Sequence, residues 1–380
     1  MKAIVELLLR MIRSAIDGTR IASPLSLTEE EEKLLYSLAK KHDMAHLVSY
    51  ALDQNGINLT SREAAEKFRK QQMMAIFRYE NQNYDLEQVR ALLEREGIRF
   101  LPLKGAVIRS MYPEPWMRTG CDIDILVDEE NLVKTREALK THLGYSFDGV
   151  GDHDLTLVSP GGVHFELHFC LLDNRNEDKY LKNVWRYARP KAPDSSEYIL
   201  SDEMFYYYHI QHMAKHFVKG GCGVKPFLDL WVFRRSGLSL GQMDREYLEK
   251  GGFERFAEQS EALAEVWFGE AEHTELTRGM QTYVLRGGVY GNAENKEAAD
   301  KDRKASRLHY VLSRIWLPFS AMSVRYPALE QRRWLLPFYQ VKRWFCILFS
   351  RKAPKPEREE NHSNEQVDRL VGYLMDSLEL

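Results

Sequence analysis

Residues 118–127 read RTGCDIDILV, so two aspartates one residue apart head an apolar run. In a strand successive side chains point to opposite faces, which puts Asp122 and Asp124 on one face and Ile123 and Ile125 on the other. Two carboxylates pressed side by side repel, and a cation between them relieves the repulsion. Farther on, GVHFELHFCL at 162–171 alternates Val163, Phe165, Leu167 and Phe169 with His164, Glu166 and His168. If the two strands are neighbours, Glu166 joins the aspartates, with the two histidines flanking it. Three carboxylates converging in one cleft suit magnesium or manganese, hard cations that keep several waters and are completed by substrate phosphates. Two such ions roughly 3.5–4 Å apart can hold both the attacking and the leaving oxygen of a phosphoryl displacement.

Upstream, LPLKG at 101–105 ends a strand and begins a helix. A glycine there lets backbone N–H groups approach a phosphate, the helix offers its positive end, and Lys104 adds a point charge. Arg118 either lends its charge to a phosphate or pairs with Asp122 or Asp128. In YYYHIQHMAKHF, His209, His212 and His216 fall three and four residues apart, on one helix face. That face can chelate zinc with Glu166, line an anionic substrate pocket together with Lys215, or simply pack. Asp229 stands among Leu228, Leu230 and Trp231, and an acid in so apolar a helix needs a partner, Lys215 or a histidine.

Elements that could position these groups follow from periodicity. Residues 1–95 read as helices, the last stopped by Gly97; IRFLPLKG is strand-like, AVIRSMYP a short helix closed by Pro113, and DIDILV a strand. DEENLVKTREALKTHLGY is a helix closed by Gly144, and HDLTLVSP with GVHFELHFCL forms a hairpin about the PGG turn at 160–162. Helical patterns return from about residue 200. The fold class expected is α/β (α+β): a small mixed β-sheet core at 96–190, an N-terminal helical region at 1–95, a C-terminal helical region at 195–350 that closes over the cleft, and a linker with a terminal helix at 351–380. A polar stretch at 291–306 reads as exposed.

Composition sets the outer bounds. The chain has 380 residues, 44% apolar and 29% charged, with a formal charge of -3, which excludes a global pull toward nucleic acid. Four scattered cysteines argue against a zinc ribbon or a disulfide framework and fit the cytoplasm. The N-terminal MKAIVELLLRMIRSAIDG reads as an amphipathic helix, and no uncharged apolar run reaches the ~20 residues of a transmembrane helix. Residues 301–352 hold twelve Lys or Arg against two acids, interleaved with aromatics. That composition fits a solvated basic face, peripheral contact with an anionic membrane, or RNA.

The order LKG, MYP, R-x-x-x-DIDILV and then HFELH resembles the uncharacterised nucleotidyltransferase family of the DNA polymerase β superfamily. The likeness continues through His209, His212, His216 and Asp229, then RGGVYGN at 286–292 and LLPFYQVKR at 335–343. It implies transfer of a nucleoside monophosphate from a nucleoside triphosphate, ATP among them, to an acceptor, with release of pyrophosphate. Acceptors of that kind include a small molecule, a sugar phosphate, an RNA end or a protein. By position, Asp122 and Asp124 would bridge the metals, while Glu166 would bind one ion and help deprotonate the acceptor. Lys104, Gly105, Ala106 and Arg118 would face the triphosphate, and His212, Lys215, His216 and Asp229 the substrate pocket. The superfamily's turn usually reads glycine followed by serine or glycine, whereas here Ala106 follows Gly105, so no hydroxyl is offered. A catalytically decayed nucleotide-binding or membrane-associated scaffold is the rival reading, and a zinc hydrolase built on the histidine helix is a third.

Overall fold

The computed structural model describes residues 2–21, 27–151, 153–171, 178–289, 291–292, 295, parts of 319–349, and 365–380. Most of the polar stretch at 291–306, of the basic region at 301–352 and of the segment APKPEREENHSNEQ lies outside them. Four helices come first: α1 (Lys2–Asp17), α2 (Glu29–Lys41), α3 (Ala45–Asn55) and α4 (Arg62–Arg95). Thr28 and Glu31 close a reciprocal capping box on α2, Ser61 caps α4, and Gly97 ends the passage out of α4 at φ 61°.

The sheet core follows with β1 (Phe100–Pro102), the one-turn helix α5 (Gly105–Ile108), β2 (Asp122–Val127) and α6 (Leu132–Leu143). After these come β3 (Ser146–Val150), β4 (Asp154–Val158) and β5 (His164–His168). The five strands are ordered β1-β2-β5-β4-β3; β2 and β5 run parallel and every other pair is antiparallel. This is the small mixed sheet expected, with the hairpin about residues 160–162 in place. β3 is the strand that periodicity passes over: SFDGV lacks apolar alternation because it is an edge strand with an exposed start.

Each face of the sheet has a different neighbour. Ile123, Ile125, Val127, Phe165 and Leu167 pack against Leu86, Val89 and Leu93 of α4 and Leu132 and Leu139 of α6. Each such side chain contributes about 1.5–3 kcal/mol by leaving water. The opposite face carries Asp122, Asp124 and Leu126. There Leu126 and Leu101 join a larger core shared by α1, α3 and the later helices α7 (Asp202–Phe217), α8 (Lys225–Arg235) and α10 (Glu254–Phe268). A two-stranded ribbon, β6 (Ala188–Pro190) with β7 (Tyr198–Leu200), precedes α7; α9 (Glu246–Gly251) precedes α10, and α11 (Glu275–Gly287) follows it. A one-turn helix at Ala328–Gln331 and two longer ones, α12 (Leu336–Phe349) and α13 (Glu365–Leu378), complete the described chain, and α13 packs on α11. No described helix is long and apolar enough to cross a membrane.

Candidate active site

The parallel pairing of β2 with β5 sets Asp122 beside His164, Asp124 beside Glu166 and Leu126 beside His168. Paired positions share a face, so Asp122, Asp124, Glu166 and His168 all project toward the side where α7 lies. Ligand atoms of Asp124, Glu166 and His168 gather within 4.8 Å of one another, the one such cluster with metal-binding spacing among the described residues. Asp122 stands next along the strand, partly buried and outside that innermost group.

Asp124 is almost wholly buried, and its Oδ1 accepts from Lys104 Nζ at 2.6 Å and meets His168 Nε2 at 2.8 Å. Burial alone would raise its pKa, but Lys104 and then His168 hold it well below the usual carboxylate range. Lys104 is raised in turn: burial works against its charge, while Asp124 and Tyr208 outweigh it. The His168 ring also lies 3.4 Å from Glu166 Oε2, and these two acids raise its pKa against the pull of burial. Asp122 answers differently. Burial first, then Asp124 and Glu166, push it up to about 6.

Lys104 therefore sits on a carboxylate and not, as its sequence position suggests, free beside a phosphate. It holds this place at φ 44°, a left-handed conformation that costs a non-glycine residue on the order of 1–3 kcal/mol and is found most often at functional sites. Gly105 follows it, buried, and a Cβ there would stand 3.1 Å from Arg118 Nη1. Ala106 is half-buried against the core beneath the sheet.

Arg118 and Asp229 are corrected together. Arg118 bonds neither Asp122 nor Asp128, and the partner found for Asp229 is neither Lys215 nor a histidine. Arg118 Nη2 meets Asp229 Oδ2 at 2.9 Å, and Tyr112 Oη donates to Asp229 Oδ1 at 2.7 Å. Asp128 is taken by Arg99. Sequence periodicity finds an acid in need of a partner but cannot reach across the 111 residues that separate this pair.

The histidine face of α7 does not gather around Glu166, which overturns the zinc reading. His209 packs edge-on against Phe233 and lies 3.4 Å from the Pro226 carbonyl, while His212 and His216 face each other at 3.2 Å between Nε2 atoms. Burial lowers all three, His216 to about 4, so each is a neutral imidazole near neutral pH. Electrostatic influence of Lys104 and Asp124 on His212 does place this part of α7 near the acids. Lys215, on the same helix, is half-buried.

Two groups escape the sequence reading. Asp154 pairs with His168 across β4 and β5, and is raised by burial in the company of Glu166 and Asp124. Its carboxylate fills the space where a Cβ on Gly151 would go, 2.1 Å from Oδ1. Alternation in DLTLV puts Asp154 and Thr156 on one face, but only the hairpin register shows that this is the acidic one. Tyr208 of α7 is the other, buried and in the field of Lys104, Asp124 and Glu166.

The donor set fits a hard divalent cation. Four carboxylates of one face face a single lysine, Asp122 and Asp154 among them have their pKa raised by burial and by the neighbouring acids, and an added positive charge would relieve both.

A family model described as an uncharacterised nucleotidyltransferase matches residues 28–269, well over half of the chain. No curated protein and no solved structure matches it.

Proposed function

The chain belongs to the family of uncharacterised nucleotidyltransferases, and from that premise we propose that it moves a nucleoside monophosphate from a nucleoside triphosphate to the hydroxyl of an acceptor, releasing pyrophosphate. The observation that carries this reading is the register of β2 on β5, which seats Asp124 directly beside Glu166 with Asp122 on the same face. Asp122, Asp124 and Glu166 would hold two magnesium ions, which when bound neutralise phosphate charge and hold the attacking and leaving oxygens. His168 orients both Asp124 and Glu166 through its contacts at 2.8 and 3.4 Å. Glu166, whose side chain is 30% exposed against 4% for Asp124, is the carboxylate open to the acceptor and takes the proton of its hydroxyl. Lys104 keeps Asp124 ionised and would be free to turn toward a phosphate oxygen if a cation shared that carboxylate.

Replacing Asp122→Asn together with Asp124→Asn is expected to preserve the fold, followed by circular dichroism, and to abolish magnesium-dependent nucleotide consumption in the presence of cell extract as acceptor source. Metal-borne charge stabilisation is worth several kcal/mol, so the loss should be roughly 100-fold or more. Undiminished release of pyrophosphate would reject the proposal.

A nucleotide-binding scaffold is favoured by two specific observations: Ala106 offers no hydroxyl, and Lys104 is committed to Asp124. Trp334, Phe338 and Val341, exposed beside Arg333 and Lys342, would let such a protein rest on an anionic membrane. Calorimetric binding of a nucleoside triphosphate without any pyrophosphate release supports this second reading.

A further inference from the structure

A cavity of about 450 Å³ lies beside β1, between α4, α5 and β7, and its size is that of a small-molecule site. Leu86, Leu101, Val107, Leu200 and Phe205 give it apolar walls, and Arg90, Arg109 and Lys191 bring positive charge. Two acids also line it. Glu197 is already taken by Arg90 at 3.2 Å and Lys191 at 3.1 Å, and Asp202 is exposed at the start of α7.

Arg109 is left over. It is 6% exposed, and its guanidinium donates to the Gln82 side chain and, at 3.3 Å, to the Arg118 carbonyl. Among the described residues no carboxylate stands within ion-pair distance of it, whereas its neighbour Arg118 has Asp229. Burial, then the proximity of Arg118, lowers it to about 10, and the more distant Tyr79, Asp122 and Asp124 offset this only in part. Its placement is nevertheless fixed. Gln82 is itself buried and donates its amide to the Gly120 carbonyl at 3.2 Å, so the acceptor oxygen that grips Arg109 cannot turn away. A buried charge held rigidly and unpaired is costly unless something else supplies the opposite charge.

We propose that this cavity binds a small organic anion, a carboxylate or a phosphate monoester, whose acidic group pairs with Arg109 and whose apolar body lies against Leu101, Val107 and Phe205. Binding here requires neither a metal nor a nucleotide, although the cavity shares Ala106 with the turn assigned to the triphosphate.

The test is calorimetry on the full chain without divalent metal or nucleotide, titrating benzoate, phenyl phosphate and the neutral benzyl alcohol. At least one anion is expected to bind ten-fold or more tightly than benzyl alcohol, a difference of about 1.4 kcal/mol. Preference for benzoate assigns a carboxylate ligand, and preference for phenyl phosphate an ester. Arg109→Gln should lose the anion preference and Arg109→Lys retain part of it. Should Arg109→Gln fail to fold, Val107→Trp, which fills the cavity and leaves Arg109 in place, should lose binding of both anions. The Asp122→Asn, Asp124→Asn double variant, which removes two negative charges that act on Arg109, should bind the anions at least as tightly as wild type, so a failure of the transferase reading does not carry this site with it. Equal affinity for benzoate, phenyl phosphate and benzyl alcohol, or wild-type anion binding by Arg109→Gln, would overturn the proposal.

Discussion

Asp122 shows how a single residue records the need of its surroundings. An aspartate in water ionises near pH 4, but burial, then Asp124 and Glu166, bring this one up to about 6. Because the folded pKa lies above the unfolded one, its contribution to stability is complete below the unfolded value and is lost as pH rises through about 6. Above that point the fold carries one more uncompensated negative charge, which a divalent cation would offset. Magnesium should therefore raise the melting temperature more at a pH well above 6 than at one well below it, and Asp122→Asn should remove most of that difference. Equal shifts at both pH values in the wild-type chain would mean that no cation is felt at this carboxylate. Lys104 argues in the same direction: the chain accepts a strained φ to bring one positive charge to Asp124, and one is too few for the four acids on this face.

At the scale of elements, the segment between α5 and β2 is fastened from both halves of the chain. Tyr112 and Arg118 reach Asp229 of α8, the Met117 carbonyl meets His46 of α3 at 2.8 Å, and Thr119 donates to Asp43, which Lys225 of α8 also binds at 2.8 Å. Burial opposes the charge of Asp43, and Lys225 overrides it, holding the carboxyl down at about 2. These ties make the entry into β2, and with it the position of Asp122, depend on helices far away in sequence. Removing one side of a buried pair leaves the other charged and alone, at a cost of about 3–5 kcal/mol. Asp229→Asn should lower urea stability by roughly that amount and reduce turnover by displacing β2. An unchanged denaturation midpoint would show that the Arg118–Asp229 contact does not bear on the site.

Across the whole molecule, what could be read in advance was whatever short-range periodicity governs. DIDILV and HFELH alternate cleanly because one face is greasy and the other is not, and Gly97 and Gly144 end helices where their positive φ requires glycine. The carboxylates' common face was legible for the same reason. What periodicity could not supply is anything fixed by pairing at a distance: the edge strand β3, the arrival of Asp154 beside His168, the marriage of Arg118 to Asp229, and the diversion of Lys104 onto Asp124. The histidine helix misled because three- and four-residue spacing describes a helix face equally well whether it chelates or packs. The central claim remains that Asp124 and Glu166, set side by side by the register of β2 on β5, share a divalent cation with Asp122. A crystal structure of the chain with manganese and a non-hydrolysable nucleoside triphosphate, read by anomalous scattering, tests it most directly. Manganese peaks ligated by Asp122, Asp124 and Glu166, with phosphate oxygens completing the shell, are expected; nucleotide bound with no manganese at these carboxylates, and Lys104 still on Asp124, would contradict that sharing.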